Sequence, residues 1–130
     1  MVEPPIIVNA KGDVELYEGL LEASRDLEPI DVENEEFIVF DSRGLLLTPK
    51  VAQDRIRVEL ENSSPPEYRP DQLRSVLRRF LSRLGEELTG TPEDEIWRRD
   101  LSELIAILKA VQARPPRSRL RLWPWKRKGS

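Results

Sequence analysis

The residues of this chain with the clearest capacity for binding chemistry are cationic and aromatic, and they lie in residues 115–130. This segment holds six basic side chains, no acidic side chain and two tryptophans. Cations attract phosphate groups, and indole rings stack on bases or lie at the headgroup level of a membrane. These residue types therefore predict contact with nucleic acid or with an anionic membrane surface. The candidate binding residues are Arg119, Arg121, Trp123, Trp125, Lys126, Arg127 and Lys128.

A second interpretation of the same segment is a disordered, solubilising tail. Its apolar surface is limited to Leu120, Leu122 and the two indole rings. Ordering a residue costs about 1–2 kcal/mol of backbone entropy, and so little apolar surface does not offset that cost. We therefore expect the tail to be disordered in the free protein.

Four acidic residues lie close together nearer the start of the chain, namely Asp31, Glu33, Glu35 and Glu36. Carboxylates at this spacing can bind a hard cation or contact a basic protein surface. The pattern matches no calcium loop, which needs acids at alternate positions followed by glycine and a final glutamate. We therefore predict an electrostatic contact with a protein partner, and the alternative is an ordinary solvated loop.

The composition excludes most catalytic chemistry. The chain has no histidine and no cysteine. A serine–histidine or cysteine–histidine pair, a disulfide and the usual zinc sites are therefore impossible. Carboxylate, lysine or tyrosine chemistry stays open, and so does magnesium held by acids that folding brings together. We predict that the protein is not an enzyme and that it uses no cofactor.

Charge divides the chain into two parts of opposite sign. The net charge is −3 although residues 115–130 contribute six positive charges, so residues 1–114 are strongly acidic. Each part raises the local concentration of partners of the opposite charge. We expect the acidic part to contact a basic protein surface, and the basic tail to act separately.

Two β-hairpins and a further strand are predicted in the first half of the chain. The β-branched residues 6–8 and the alternating residues 14–17 flank a turn-forming stretch at residues 9–13. Residues 36–40 and 45–48 flank Asp41-Ser42-Arg43-Gly44, where aspartate opens a turn and glycine can adopt positive φ. Residues 55–60 alternate charged and apolar side chains, which predicts an antiparallel strand with one solvated face. One short helix is predicted over residues 18–27, before Pro29.

The spacing of apolar residues becomes helical after Pro66. One amphipathic helix is predicted from about Pro70 to near Gly90, and a second is predicted to begin with Thr91 as N-cap and Pro92 at the first helical position. A connection this short favours a helical hairpin. The apolar positions expected in the shared core are Leu77, Phe80, Leu84, Leu104 and Leu108.

These patterns together predict an α+β fold. Residues 1–114 form a single domain in this prediction, with a small antiparallel sheet, one short helix and a helical hairpin packed on the sheet. Residues 115–130 form the basic tail. No apolar run approaches the ~20 residues needed to cross a bilayer, and the first residues lack a secretory signal, so we expect a cytoplasmic protein.

Three stretches of residues 4–47 resemble a group of small uncharacterised bacterial proteins, some of them similar to immunity proteins of toxin systems. The matching stretches are Pro4-Pro5-Ile6-Ile7-Val8-Asn9 with Gly12-Asp13-Val14, Leu27-Glu28-Pro29-Ile30-Asp31-Val32-Glu33-Asn34, and Phe40-Asp41-Ser42-Arg43-Gly44-Leu45-Leu46. The resemblance implies a role in neutralising a toxin by binding it. It implies no functional residues.

The sequence therefore favours a protein-binding module with an acidic surface, and an immunity or inhibitor protein against a basic toxin or enzyme is its most specific form. Two alternatives remain. One is an adaptor for nucleic acid or a membrane surface that acts through the tail, and the other is a structural domain. The sequence predicts no small-molecule substrate, and it leaves the oligomeric state open.

Overall fold

A computed structural model describes residues 2–62 and 64–113, and it combines an antiparallel sheet with short and long helices. The strands are β1 (Ile6–Ala10), β2 (Asp13–Tyr17), β3 (Phe37–Phe40), β4 (Leu46–Val51) and β5 (Val58–Asn62). The helices are α1 (Leu20–Asp26), α2 (Pro29–Glu33), α3 (Pro70–Leu84), α4 (Glu86–Thr89), α5 (Glu93–Ile96) and α6 (Leu101–Gln112). The predicted α+β fold is confirmed. The predicted disordered tail lies outside the described residues.

The five strands pair in the order β2-β1-β3-β4-β5, and every pair is antiparallel. The interior strand β1 is apolar at successive positions because both of its faces are covered. Ile7 belongs to the core that includes α3 and α6, whereas Ile6 and Val8 belong to the core that includes α1. The sheet is therefore the middle layer between two groups of helices.

Both predicted hairpins are present, as β1–β2 and β3–β4. The further strand predicted over residues 55–60 is present as β5, but it starts later than the alternating pattern predicts. It begins at Val58 rather than Arg55, because the preceding residues form a turn in which the Ala52 N–H donates to the carbonyl oxygen of Arg57. Ile56 lies in this turn and is 77% exposed, so its apolar side chain does not reach the core.

The short helix predicted over residues 18–27, before Pro29, is present as α1, but a second short helix, α2, which the sequence did not predict, follows it. Pro29 ends the first and occupies the first turn of the second. A proline disfavours helical geometry in the residue before it but is tolerated at a helix start. Glu28 is accordingly extended, with ψ of 134°.

The second half of the chain folds into two long helices, α3 and α6, joined by two short ones. Helix α3 ends at Leu84, earlier than predicted, because Gly85 has a φ of 88°. The prediction that Thr91 caps the second long helix is also wrong. Helix α6 begins at Leu101, where the Asp100 carboxylate accepts from the Glu103 N–H and the Glu103 side chain accepts from the Asp100 N–H. This reciprocal capping box satisfies two backbone donors at once, which fixes the helix start there.

Helices α3 and α6 pack on each other and on β2. The predicted core positions Leu77, Phe80, Leu104 and Leu108 are at most 1% exposed, whereas Leu84 is only partly buried. In residues 2–62 and 64–113, no helix is both long and apolar enough to span a bilayer.

The turn between β3 and β4 joins the sheet to both the first residues of the chain and α3. The fully buried Asp41 carboxylate accepts backbone N–H bonds from Glu3, Arg43 and Leu45 at 2.8–2.9 Å. Gly44 has a φ of 87°, and its carbonyl oxygen accepts from the Arg69 N–H at 2.7 Å. A Cβ at Gly44 would lie 2.7 Å from backbone atoms of Pro70, so only glycine fits this junction.

We predict that Phe80→Ala lowers the free energy of unfolding by about 3–5 kcal/mol, because it removes a large aromatic side chain from the centre of the core. Equilibrium denaturation of the purified protein measures the change. A loss below a tenth of this size would show that Phe80 does not belong to the core.

We also predict that Gly44→Ala costs more stability than Gly90→Ala, which serves as its matched control. Both glycines have positive φ, but nothing lies within 4 Å of a Cβ placed at Gly90. Gly90→Ala should lower the free energy of unfolding by about 1–2 kcal/mol, which is the cost of placing a Cβ at positive φ. Gly44→Ala should exceed it by at least about 1 kcal/mol because Pro70 must also move. If urea denaturation gives equal losses in the free energy of unfolding for the two variants, the close approach between position 44 and the Pro70 backbone would be contradicted.

Candidate functional site

Strand β5 is one edge of the sheet, and the polar groups on its outer side are open. The hydrogen bond from Ala52 to Arg57 marks these residues as a bonded pair, and pairs alternate along an antiparallel ladder. The register therefore bonds Glu59 and Glu61 to β4. The backbone N–H and C=O groups of Val58, Leu60 and Asn62 point outward, and no described residue bonds them.

The position of Pro49 in β4 is consistent with this register. Pro49 stands opposite Leu60 in a position where the ladder needs no N–H from β4. Its missing donor therefore costs the β4–β5 pair nothing.

The opposite edge of the sheet, at β2, is covered differently. The side-chain amide of Gln112 at the end of α6 binds both backbone groups of Leu16: Oε1 accepts from the Leu16 N–H at 2.6 Å, and Nε2 donates to the Leu16 oxygen at 3.0 Å. An amide side chain here replaces the bonds that a neighbouring strand would make. Open edges invite pairing with another chain, so the β5 edge is the more accessible of the two.

A groove of about 680 Å³ runs beside the open edge, between α1 and β5. Its lining combines apolar side chains with the polar residues Ser24, Arg25, Arg57 and Glu59. Leu27 and Val58 form its floor and are nearly buried, whereas Leu21 and Ile56 at its rim are 60% and 77% exposed. Leu60 lines the groove from the strand itself. Exposed apolar side chains that converge on one groove are typical of an interaction site.

The two faces of β5 differ in charge. Val58 and Leu60 pack in the core beneath α1, so the side chains of Glu59 and Glu61 alternate to the other face of the sheet, while Glu59 also borders the groove at the strand edge. Both glutamates are exposed, and Glu61 makes an ion pair of 2.9 Å with Lys50. The open edge thus has an apolar side and an acidic side.

The turn before β5 holds Ile56 at the mouth of the groove. The carboxylate of Asp54 accepts from the Ile56 N–H at 3.0 Å, the Arg57 N–H at 3.2 Å and the Arg57 Nε at 2.8 Å. These hydrogen bonds, with that from the Ile56 backbone as the largest cause, lower the pKa of Asp54 to about 2. The turn therefore keeps its charge-assisted bonds over the whole physiological pH range.

The other wall of the groove is fixed by Tyr17. Its hydroxyl donates to Asp26 Oδ2 at 2.9 Å, which ties the end of α1 to β2. Burial raises the pKa of Tyr17 well above its ordinary value, with Glu15 and Asp26 adding to the effect. The hydroxyl therefore stays protonated and remains a donor.

The four acidic residues predicted to contact a partner lie in α2 and the residues that follow it. Glu33 forms an ion pair with Arg55 at 3.7 Å, and Glu36 forms one with Lys11 at 3.4 Å. Asp31 lies within α2, and Glu35 is exposed with a φ of 56°. Two of the four carboxylates are thus engaged with basic side chains of this chain. Within residues 2–62 and 64–113, no three acidic side chains are grouped closely enough to hold a metal ion.

The remaining predicted site residues lie outside the part of the chain that the structure describes. They are Arg119, Arg121, Trp123, Trp125, Lys126, Arg127 and Lys128.

Sequence reasoning missed the groove, because its apolar residues come from segments that are distant in the chain. A signal was present at Leu20-Leu21 and at Ile56, where apolar side chains lie among charged ones. Only the fold brings these positions together.

We predict that the Ile56 and Arg57 amide resonances shift together as the pH falls below about 4. The folded pKa of Asp54 lies below its ordinary value of 3.8, so the bonds that it accepts are fully present above that pH and are lost as the pH falls toward about 2. A two-dimensional NMR titration follows both amides. Asp54→Asn should remove the shared transition, and its persistence in that variant would assign the transition to another carboxyl.

Comparison of the chain with protein-family models, with curated proteins and with solved structures found no match. The groove and the open edge of β5 are therefore interpreted from their own geometry.

Proposed function

We propose that this protein is a non-enzymatic protein-binding module that takes up an extended segment of a partner as an additional strand beside β5. The observation that carries the proposal is the open edge of β5 next to the groove. Strand addition supplies affinity through backbone hydrogen bonds and specificity through pockets for alternate side chains. Val58, Leu60 and Asn62 offer the backbone groups, and the groove offers the pocket.

The two faces of β5 specify the chemistry of the partner segment. Side chains of an added strand alternate between the groove face and the face that carries Glu59 and Glu61. Apolar side chains suit the first face, and cationic side chains suit the second, since opposite charges on neighbouring strands stabilise the pair. The expected ligand is therefore an extended segment that alternates basic and apolar residues.

This proposal keeps the protein-binding role expected from the sequence but moves the contact from the acidic cluster before β3 to the β5 edge. An immunity or inhibitor role is one form of it, in which the bound segment belongs to a basic toxin or enzyme. The acidic charge of residues 1–114 supports such a role, because it speeds encounter with a basic partner.

We expect a synthetic peptide that alternates arginine and valine to bind the full chain at β5. Hydrogen exchange measured by NMR is the sharpest readout. The outward N–H groups of Val58, Leu60 and Asn62 should become protected, whereas those of Glu59 and Glu61, already bonded to β4, should change little. A peptide of the same composition with its arginines and valines in separate blocks is the control. Equal binding of the two peptides would show that charge alone attracts them.

A pair of variants at Leu60 tests the backbone contact. Leu60→Pro removes the outward donor without removing a bond to β4, and Leu60→Ala removes the same apolar contact but keeps the donor. The proline variant should bind the alternating peptide about tenfold more weakly than the alanine variant, since an unmet hydrogen bond costs about 1–3 kcal/mol. Equal affinities with both variants folded would refute strand addition.

A further inference from the structure

The basic tail itself contains a segment with the chemistry that the β5 edge accepts. Residues 119–123 read Arg-Leu-Arg-Leu-Trp, with cationic and apolar side chains alternating over four positions. These residues lie outside the ranges that the structure describes. A strand of this order would place Leu120 and Leu122 on one face and Arg119 and Arg121 on the other.

This order complements β5 in both respects. Residues 58–61 read Val-Glu-Leu-Glu, so the strand also alternates apolar and charged positions but with the opposite charge. Paired side by side, the leucines of one strand meet the groove face and the arginines meet Glu59 and Glu61. We infer that residues 119–123 of a second copy of this chain bind the β5 edge, an inference that rests on the proposed function.

The length of the connection decides in favour of a second copy. Gln112 at the end of α6 is bonded to Leu16 in β2, at the edge of the sheet opposite to β5. A strand docked outside β5 is five strand spacings from β2, or about 24 Å. The seven residues from Ala113 to Arg119 reach at most about 25 Å from Gln112 when fully extended, which barely equals this straight-line separation, and they would have to follow a longer path around the molecule. A chain therefore does not fill its own β5 edge with this segment.

The contact joins two different surfaces, since one copy donates the tail and the other accepts it at β5. Each copy has one donor segment and one acceptor edge, and the helix that precedes the donor segment ends beside β2, at the edge of the sheet opposite to β5. Such head-to-tail contacts build either open filaments or closed rings, depending on the rotation between neighbouring copies. The protein should therefore associate increasingly as its concentration rises.

Sedimentation velocity of the full chain over a wide concentration range tests this inference. Wild-type protein should associate, and R119E/R121E should weaken the association at least about tenfold, because two favourable cross-strand pairs become repulsive. The matched control K126E/K128E makes the same change in net charge outside the alternating segment, and it should associate as wild type does. If both double variants weaken self-association equally, net charge alone would explain the effect and the inference would be overturned.

Charge exchange supplies the decisive variant. E59R/E61R should weaken the association as R119E/R121E does, and combining the two double substitutions in one chain should restore it because the paired charges are exchanged. A failure of the combined variant to associate while it remains folded by circular dichroism would overturn the contact between these residues.

The same samples separate this inference from the proposed function. If wild-type protein stays monomeric while the alternating arginine–valine peptide still protects Val58 and Leu60, the self-association is wrong and strand addition stands. If that peptide protects neither amide in R119E/R121E, whose own tail is disabled, strand addition itself fails. Protection of these amides in monomeric wild-type protein that R119E/R121E abolishes would assign the tail to its own chain and overturn the role of a second copy.

Discussion

The buried carboxylate of Asp41 is the interaction on which the arrangement of layers depends. It has no exposed surface, and it accepts backbone bonds from Glu3, before β1, and from residues of the β3–β4 turn. A buried charge is costly unless several donors satisfy it, so the turn, the chain start and the carboxylate must form together. Gly44 then places Arg69 and Pro70 against the same turn, which sets where α3 leaves the sheet. One turn thereby fixes both the central strands and the position of the helical layer.

The two edges of the sheet are treated in different ways, and the difference has a functional consequence. At β2, the Gln112 amide occupies the outward groups of Leu16 and also anchors the end of α6. At β5, the register of the β4–β5 pair directs the groups of Val58, Leu60 and Asn62 outward without any described partner. Exposed edges favour pairing with other chains, and proteins usually cover or charge them. Glu59 and Glu61 charge this edge, which discourages pairing with a copy of the same acidic strand and favours a basic one.

The groove beside β5 relies on two walls that are held by separate contacts. Tyr17 and Asp26 fix α1 from one side, and the Asp54 turn fixes Ile56 from the other. Neither wall is part of the main core around Phe80. The groove can therefore accept a ligand without disturbing the packing of α3 and α6.

The sequence by itself determined the local elements of this protein: the change from a period of two to a helical period, the turn at Asp41-Ser42-Arg43-Gly44 and the core positions on α3 and α6. These depend on neighbours within a few residues, where turn chemistry and apolar spacing act directly. The start of α6 was missed because the threonine and proline signal begins only the short helix α5, and the capping box of Asp100 and Glu103 starts α6 separately. The candidate site was decided only by tertiary structure. Leu21, Ile56 and Leu60 converge because the sheet order places β5 at an edge beneath α1, and no local pattern specifies which strand will be left without a neighbour.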